Sequence, residues 1–157
     1  MQTASLSVIK KELQTLPEEQ LMALCISIAK YKKENKELLN YILFESNDEA
    51  GYINNIKAEV EESFAGLNSR NFYFAKKGIR KTLRMVNKYI KDSGKATTLI
   101  ELLIHFCRQL NILGIDYNSS TALANLYASQ LNKVIKAIGT LHEDLQYDYL
   151  KELKNLG

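Results

Sequence analysis

Few residues in this sequence could do chemistry by type and spacing. There are two histidines, His105 and His142. Glu101 and His105 stand four apart, so on a helix they share a face, where the carboxylate can hydrogen-bond the imidazole. A metal site would need further ligands, and Cys107 points elsewhere on the same helix. His142 and Glu143 form half of an HExxH zinc motif, but position 146 is Gln146, so that motif fails. Asp144, Asp148 and Glu152 stand one turn apart and could bind a divalent ion or act as acid and base. The same spacing describes the wet side of an amphipathic helix.

The seven glycines never gather into a phosphate-cradling loop, and neither a GxSxG elbow nor a CxxC pair occurs. Cys25 and Cys107 lie in the apolar runs LMALCISIA and LIELLIHFC. They read as buried hydrophobes rather than nucleophiles, and a single disulfide between them is the alternative. No motif calls for an enzyme, and no catalytic, metal-binding or cofactor-binding residue is assigned.

The strongest feature is electrostatic. Residues 68–95 hold Arg70, Lys76, Lys77, Arg80, Lys81, Arg84, Lys88, Lys91 and Lys95 against Asp92. That is a net +8 in a chain of net +3, so the remainder carries −5. At helical spacing the cations from Arg70 to Lys91 occupy a sector about 140° wide. Phe72, Ala75, Ile79, Leu83, Val86 and Ile90 fall on another face. A positive stripe of this kind suits a nucleic-acid backbone, an anionic ligand or an acidic protein. Phe72, Tyr73, Phe74 and Tyr89 are near enough to stack on bases if exposed, though Phe72 and Phe74 could instead join the core. The preceding segment 45–62, with six acidic residues and Lys57, offers a plainer answer: two helices of opposite charge satisfying each other.

The elements that must hold these residues are helices throughout. With 157 residues, 46% apolar and 25% charged, the chain is long enough for a single domain, 1–157, with its own core. Ser5 to Gln14 fits a first helix, Pro17 opens a second, and KKENKELLNYILFES reads as a third or as its continuation. Capping-box patterns at Ser46/Glu49, Thr98/Glu101 and Thr140/Glu143 start three more helices. Asn68 to Asp92 forms another, closed by Gly94, and Ser119 or Ser120 caps the one that ends at Gly139. The segment 98–112 has almost no polar face, so others must surround it. The fold expected is all-α: six to eight helices in an irregular bundle or a short HEAT/armadillo-like stack around that central helix.

The last two helices carry a seven-residue period through Ala124, Leu131, Ile138 and Leu145, with Tyr127, Val134 and Leu141 at companion positions. Gly139 and Thr140 favour a break there over one long rod. Tyr147, Tyr149, Leu150 and Leu153 make the terminal helix apolar enough for self-association as a homodimer, although docking on the chain's own core explains them as well. No signal-peptide pattern or membrane-length apolar run is seen, and a cytoplasmic location is expected.

The segments LSVIKKELQTLPEEQL, KKENKELLNYILF and NFYFAKKGIRKTLRMVNKYIKDSG, in that order, resemble a family of small all-helical bacterial proteins of uncharacterised activity. The resemblance implies an all-α fold and a bacterial origin, and no activity or site residue. The function expected from the residues is non-enzymatic: a helical adaptor acting through protein–protein interaction, or alternatively a nucleic-acid binder using helix 70–95.

Overall fold

A helix that is apolar nearly all round has to be covered, and the arrangement of residues beyond 45 follows from that requirement. The computed structural model describes residues 2–68, 70–116 and 119–156. Among them are eight α-helices and no strand: α1 (Leu6–Gln14), α2 (Glu18–Tyr31), α3 (Lys33–Asn40), α4 (Glu49–Ala65), α5 (Phe72–Ser93), α6 (Ala96–Ile112), α7 (Thr121–Ile138) and α8 (Glu143–Lys154). Packing groups the chain into two compact units, Met1–Phe44 and Glu45–Gly157.

In the second unit α6 is the centre, packed against α4, α5 and α7. Ile100, Leu102, Leu103, Ile104, Phe106, Cys107 and Leu110 of α6 have no exposed surface. Phe106 meets Phe64 of α4 edge to face at 5.5 Å, the favoured geometry for an aromatic pair. Val60, Ile79, Val86 and Val134 bring α4, α5 and α7 onto the same core. This is the bundle around a buried helix near 98–112 that the apolar pattern predicts.

Polar groups tie the ends. Ser93 and Thr98 each donate a hydroxyl to Oε1 of Glu49, while Lys95 Nζ lies 2.8 Å from Oε2. One carboxylate thus joins α4, the end of α5 and the start of α6. At mid-height Lys57 pairs with Glu101 at 2.7 Å, and Tyr149 of α8 donates to the other oxygen of Glu101. Arg108–Glu152 and a hydrogen bond from Asn111 to the Leu156 carbonyl dock α8 onto α6.

Several caps differ from the sequence expectation. Asp48, not Ser46, caps α4, accepting from the Gly51 amide at 3.0 Å. Thr98 is fully buried inside the first turn of α6, its hydroxyl committed to Glu49 rather than to a cap. The α7–α8 break occurs as expected, yet His142 is the N-cap of α8 and Gly139 keeps right-handed helical geometry. Thr140 instead donates to the Ala137 carbonyl. Ser120 and Gly94 do act at the positions read from sequence, and Gly94 takes φ 67°, while Ser5, read as the first helical residue, is the N-cap of α1.

The first unit is differently built. Its three helices bury no residue, and of the described positions up to Phe44 only Tyr41 is buried. Extended backbone at Lys32 separates α2 from α3, and the Asn35 amide donates back to the Ile28 carbonyl, satisfying one of the open carbonyls that end α2. After α3 the chain continues through a five-residue π-helical segment, Tyr41–Glu45. Cys25 is exposed here, which corrects the reading of it as a core residue; Cys107 is buried, and neither forms a disulfide. The apolar run around Cys25 stands on a helix with no core to enter.

Two substitutions test the bundle. Phe106→Ala should cost about 3–5 kcal/mol, as for a large cavity in a closed core. Glu49→Ala, which leaves the buried Thr98 hydroxyl with Ser93 alone and breaks the pair with Lys95, should cost about 1–3 kcal/mol. Urea unfolding followed by circular dichroism measures both.

Candidate functional site

The basic stripe is carried by α5, 22 residues long and so about 33 Å from end to end. Asn71 caps its start, its side chain accepting from the Phe74 amide, and Gly94 stops it. Ala75, Ile79, Thr82 and Val86, at offsets of four, seven and eleven, are buried against the rest of the bundle. With that face fixed, the opposite face is committed to solvent. Arg70, Lys77, Arg80, Lys81, Arg84 and Lys91 are exposed, and Lys76 and Lys88 are half-buried. Tyr73, Lys76, Lys77, Arg80 and Arg84 together line an open depression of about 380 Å³.

The acidic segment does not neutralise this face. Of its carboxylates, Glu49 is taken by Lys95, Ser93 and Thr98, Glu59 by the Tyr89 hydroxyl, and Asp48 by a backbone amide. Glu61 lies 3.2 Å from His105. Among the described residues, Arg70, Lys76, Lys77, Arg80, Lys81, Arg84 and Lys91 form no ion pair. The expected alternative of two oppositely charged helices answering each other therefore holds at Lys95 and not at these seven cations.

Aromatic residues divide. Tyr73 is 71% and Phe74 61% exposed, their rings in edge-to-face contact at 5.6 Å, and Phe72 is exposed too. Neither Phe72 nor Phe74 joins the core. Tyr89, in contrast, is turned toward α4, bonded to Glu59 and packed edge to face on Tyr52. The aromatic surface is thus concentrated at the N-terminal end of α5. Its signal in the sequence is helical offset: Tyr73 precedes Lys76 and Lys77 by three and four positions.

The Glu101/His105 pair does not form as expected. Glu101 is engaged by Lys57 and Tyr149, and His105 faces Glu61. Lys57, the lone cation of an acidic segment, takes the carboxylate first. His105 Nε2 is buried with no hydrogen bond of good geometry. Burial pushes the Cys107 thiol up to about 12, so it stays protonated and non-nucleophilic. Burial, then Glu101, likewise raises Tyr149 to about 12. Of the acidic row on α8, Asp144 and Asp148 are exposed and Glu152 pairs with Arg108. Among the described residues, no three His, Cys, Asp or Glu side chains gather closely enough to hold a metal ion. No described helix is long and apolar enough to cross a membrane.

The terminal-helix candidates split in two. Tyr147 and Leu150 are exposed, while Tyr149 and Leu153 are half-buried where α8 docks.

No family model, no curated protein and no solved structure matches this chain.

His105 supplies a pH test. Its burial lowers the pKa from 6.5, outweighing the opposing pull of Glu61. As pH falls through 6.5 the unfolded chain takes a proton that the folded chain resists, so this contribution is complete above that pH and lost below it. Stability should decline as pH falls below 6.5, and His105→Gln should flatten that part of the profile in denaturant midpoints.

Proposed function

We propose that the protein is a non-enzymatic binding module whose α5 face engages the backbone of single-stranded nucleic acid. The observation that carries this reading is the row formed on α5 by Lys76, Lys77, Arg80, Lys81 and Arg84, none of them in an ion pair, ending in exposed aromatic rings. Cations already satisfied by carboxylates would have to break those pairs to meet phosphate, whereas free ones lose only counterions. From Lys76 to Arg84 the row advances about 12 Å along the helix, room for successive backbone groups rather than one small anion. Tyr73 and Phe74 then offer ring faces to unstacked bases, which a duplex keeps stacked. Nothing in this arrangement reads base sequence, so binding should be general.

A second reading concerns the first unit. Its exposed apolar helices favour a protein partner there, and an adaptor using both surfaces is compatible with the α5 reading.

Fluorescence anisotropy with labelled single- and double-stranded oligonucleotides tests the α5 reading. Single strands should bind more tightly, with affinity falling steeply as salt rises. Reversing Lys77, Arg80 and Arg84 to glutamate should weaken binding at least about tenfold and lower the salt slope by about two. Tyr73→Ala should cost about 1–3 kcal/mol while leaving that slope unchanged. Absence of binding at low salt would remove the proposal.

A further inference from the structure

The α2 helix is apolar around most of its circumference, yet it buries nothing. One side, through Cys25, Ile28 and Ala29, lines a groove of about 160 Å³ shared with Leu38, Leu39 and Ile42. A different side carries Glu19, Met22, Ala23, Ile26 and Lys30, at offsets of three, four, seven and eleven, which places them in one row. All five are exposed, Met22 by 64% and Ile26 by 47%. Between Glu19 and Lys30 the segment QLMALCISIA has no charge. Neither Glu19 nor Lys30 has an ion-pair partner among the described residues.

This row is self-complementary when reversed. Turned end for end about a point between Leu24 and Cys25, Glu19 falls on Lys30 and Ala23 on Ile26. We infer that α2 is the contact between two copies of this chain, packed antiparallel across a two-fold axis at that point. Each end is then closed by a Glu19–Lys30 pair, and Met22, Ala23 and Ile26 fill the middle. A two-fold contact requires a patch that complements itself, and this row meets that requirement in charge as well as in apolar character. An acidic start and basic finish also suit the dipole of a solitary helix, but the dipole gives no reason for the exposed apolar row between them. A second copy covers it. A three-helix unit that buries a single described side chain also has little stability of its own, and association is one of the ways in which so small a unit gains a core.

The inference rests on reading the first unit as a protein-binding surface, and it names the partner. Sedimentation equilibrium of the full chain should show a dimer, and Ile26→Asp should make it monomeric. Glu19→Lys alone, and Lys30→Glu alone, should each weaken the dimer roughly tenfold by placing like charges opposite one another at both ends. An equimolar mixture of those two variants should regain wild-type association. In the mixed pair the introduced lysine meets the introduced glutamate, and Lys30 meets Glu19. A wild-type chain that stays monomeric, or a dimer that the mixture does not restore, overturns the inference. An apolar fluorescent dye separates the two failures. A monomer that binds dye, and loses it with Ile26→Asp, keeps a protein-binding surface but excludes the second copy. A monomer that binds none removes both readings.

Discussion

The burial of α6 is the constraint from which the second unit follows. Its side chains from Ile100 to Leu110 are apolar on nearly every side, and covering them takes one face each of α4, α5 and α7. Once Ala75, Ile79 and Val86 are spent on that cover, α5 has no freedom in how it presents its remaining face. The cations opposite them are held outward by packing on the far side of the same helix. A functional surface made this way needs no cavity and no strained backbone, only an amphipathic helix and a core that fixes its rotation.

Polar contacts then decide which charges are consumed. Glu49 gathers Lys95, Ser93 and Thr98, Glu101 gathers Lys57 and Tyr149, and Glu152 takes Arg108. These pairs sit where helices meet and fix register between them. The cations from Lys76 to Arg84 stand away from those junctions. The charge on the chain is therefore sorted into two uses: structural pairs between helices, and an unneutralised row on α5.

Much of the fold was legible because helices advertise themselves locally. The apolar surround of α6, the amphipathic split of α5, the stop at Gly94 and the cap at Ser120 depend on neighbours within a turn or two. The misreadings share the opposite character. Thr98 looks like a cap until Glu49, far away in sequence, claims its hydroxyl. Glu101 looks like a partner for His105 until Lys57 arrives from α4. Cys25 looks buried because its run is apolar, but a run does not say whether a core lies beside it. On the candidate site, the stripe itself was visible in the spacing of lysine and arginine. Whether the acidic segment neutralised it was not, because that depends on how α4 rotates against α5 and α6.

In the proposed function the outer face of α5 binds polyanions while its inner face serves the core. The most direct measurement is an NMR titration of the labelled chain with a short single-stranded oligonucleotide, following backbone and arginine side-chain resonances. Shifts should concentrate on Arg70 to Arg84 and on Tyr73 and Phe74, with the α6 core unmoved. Shifts centred in residues 2–44 or on α8, or no shift at low salt, would contradict it.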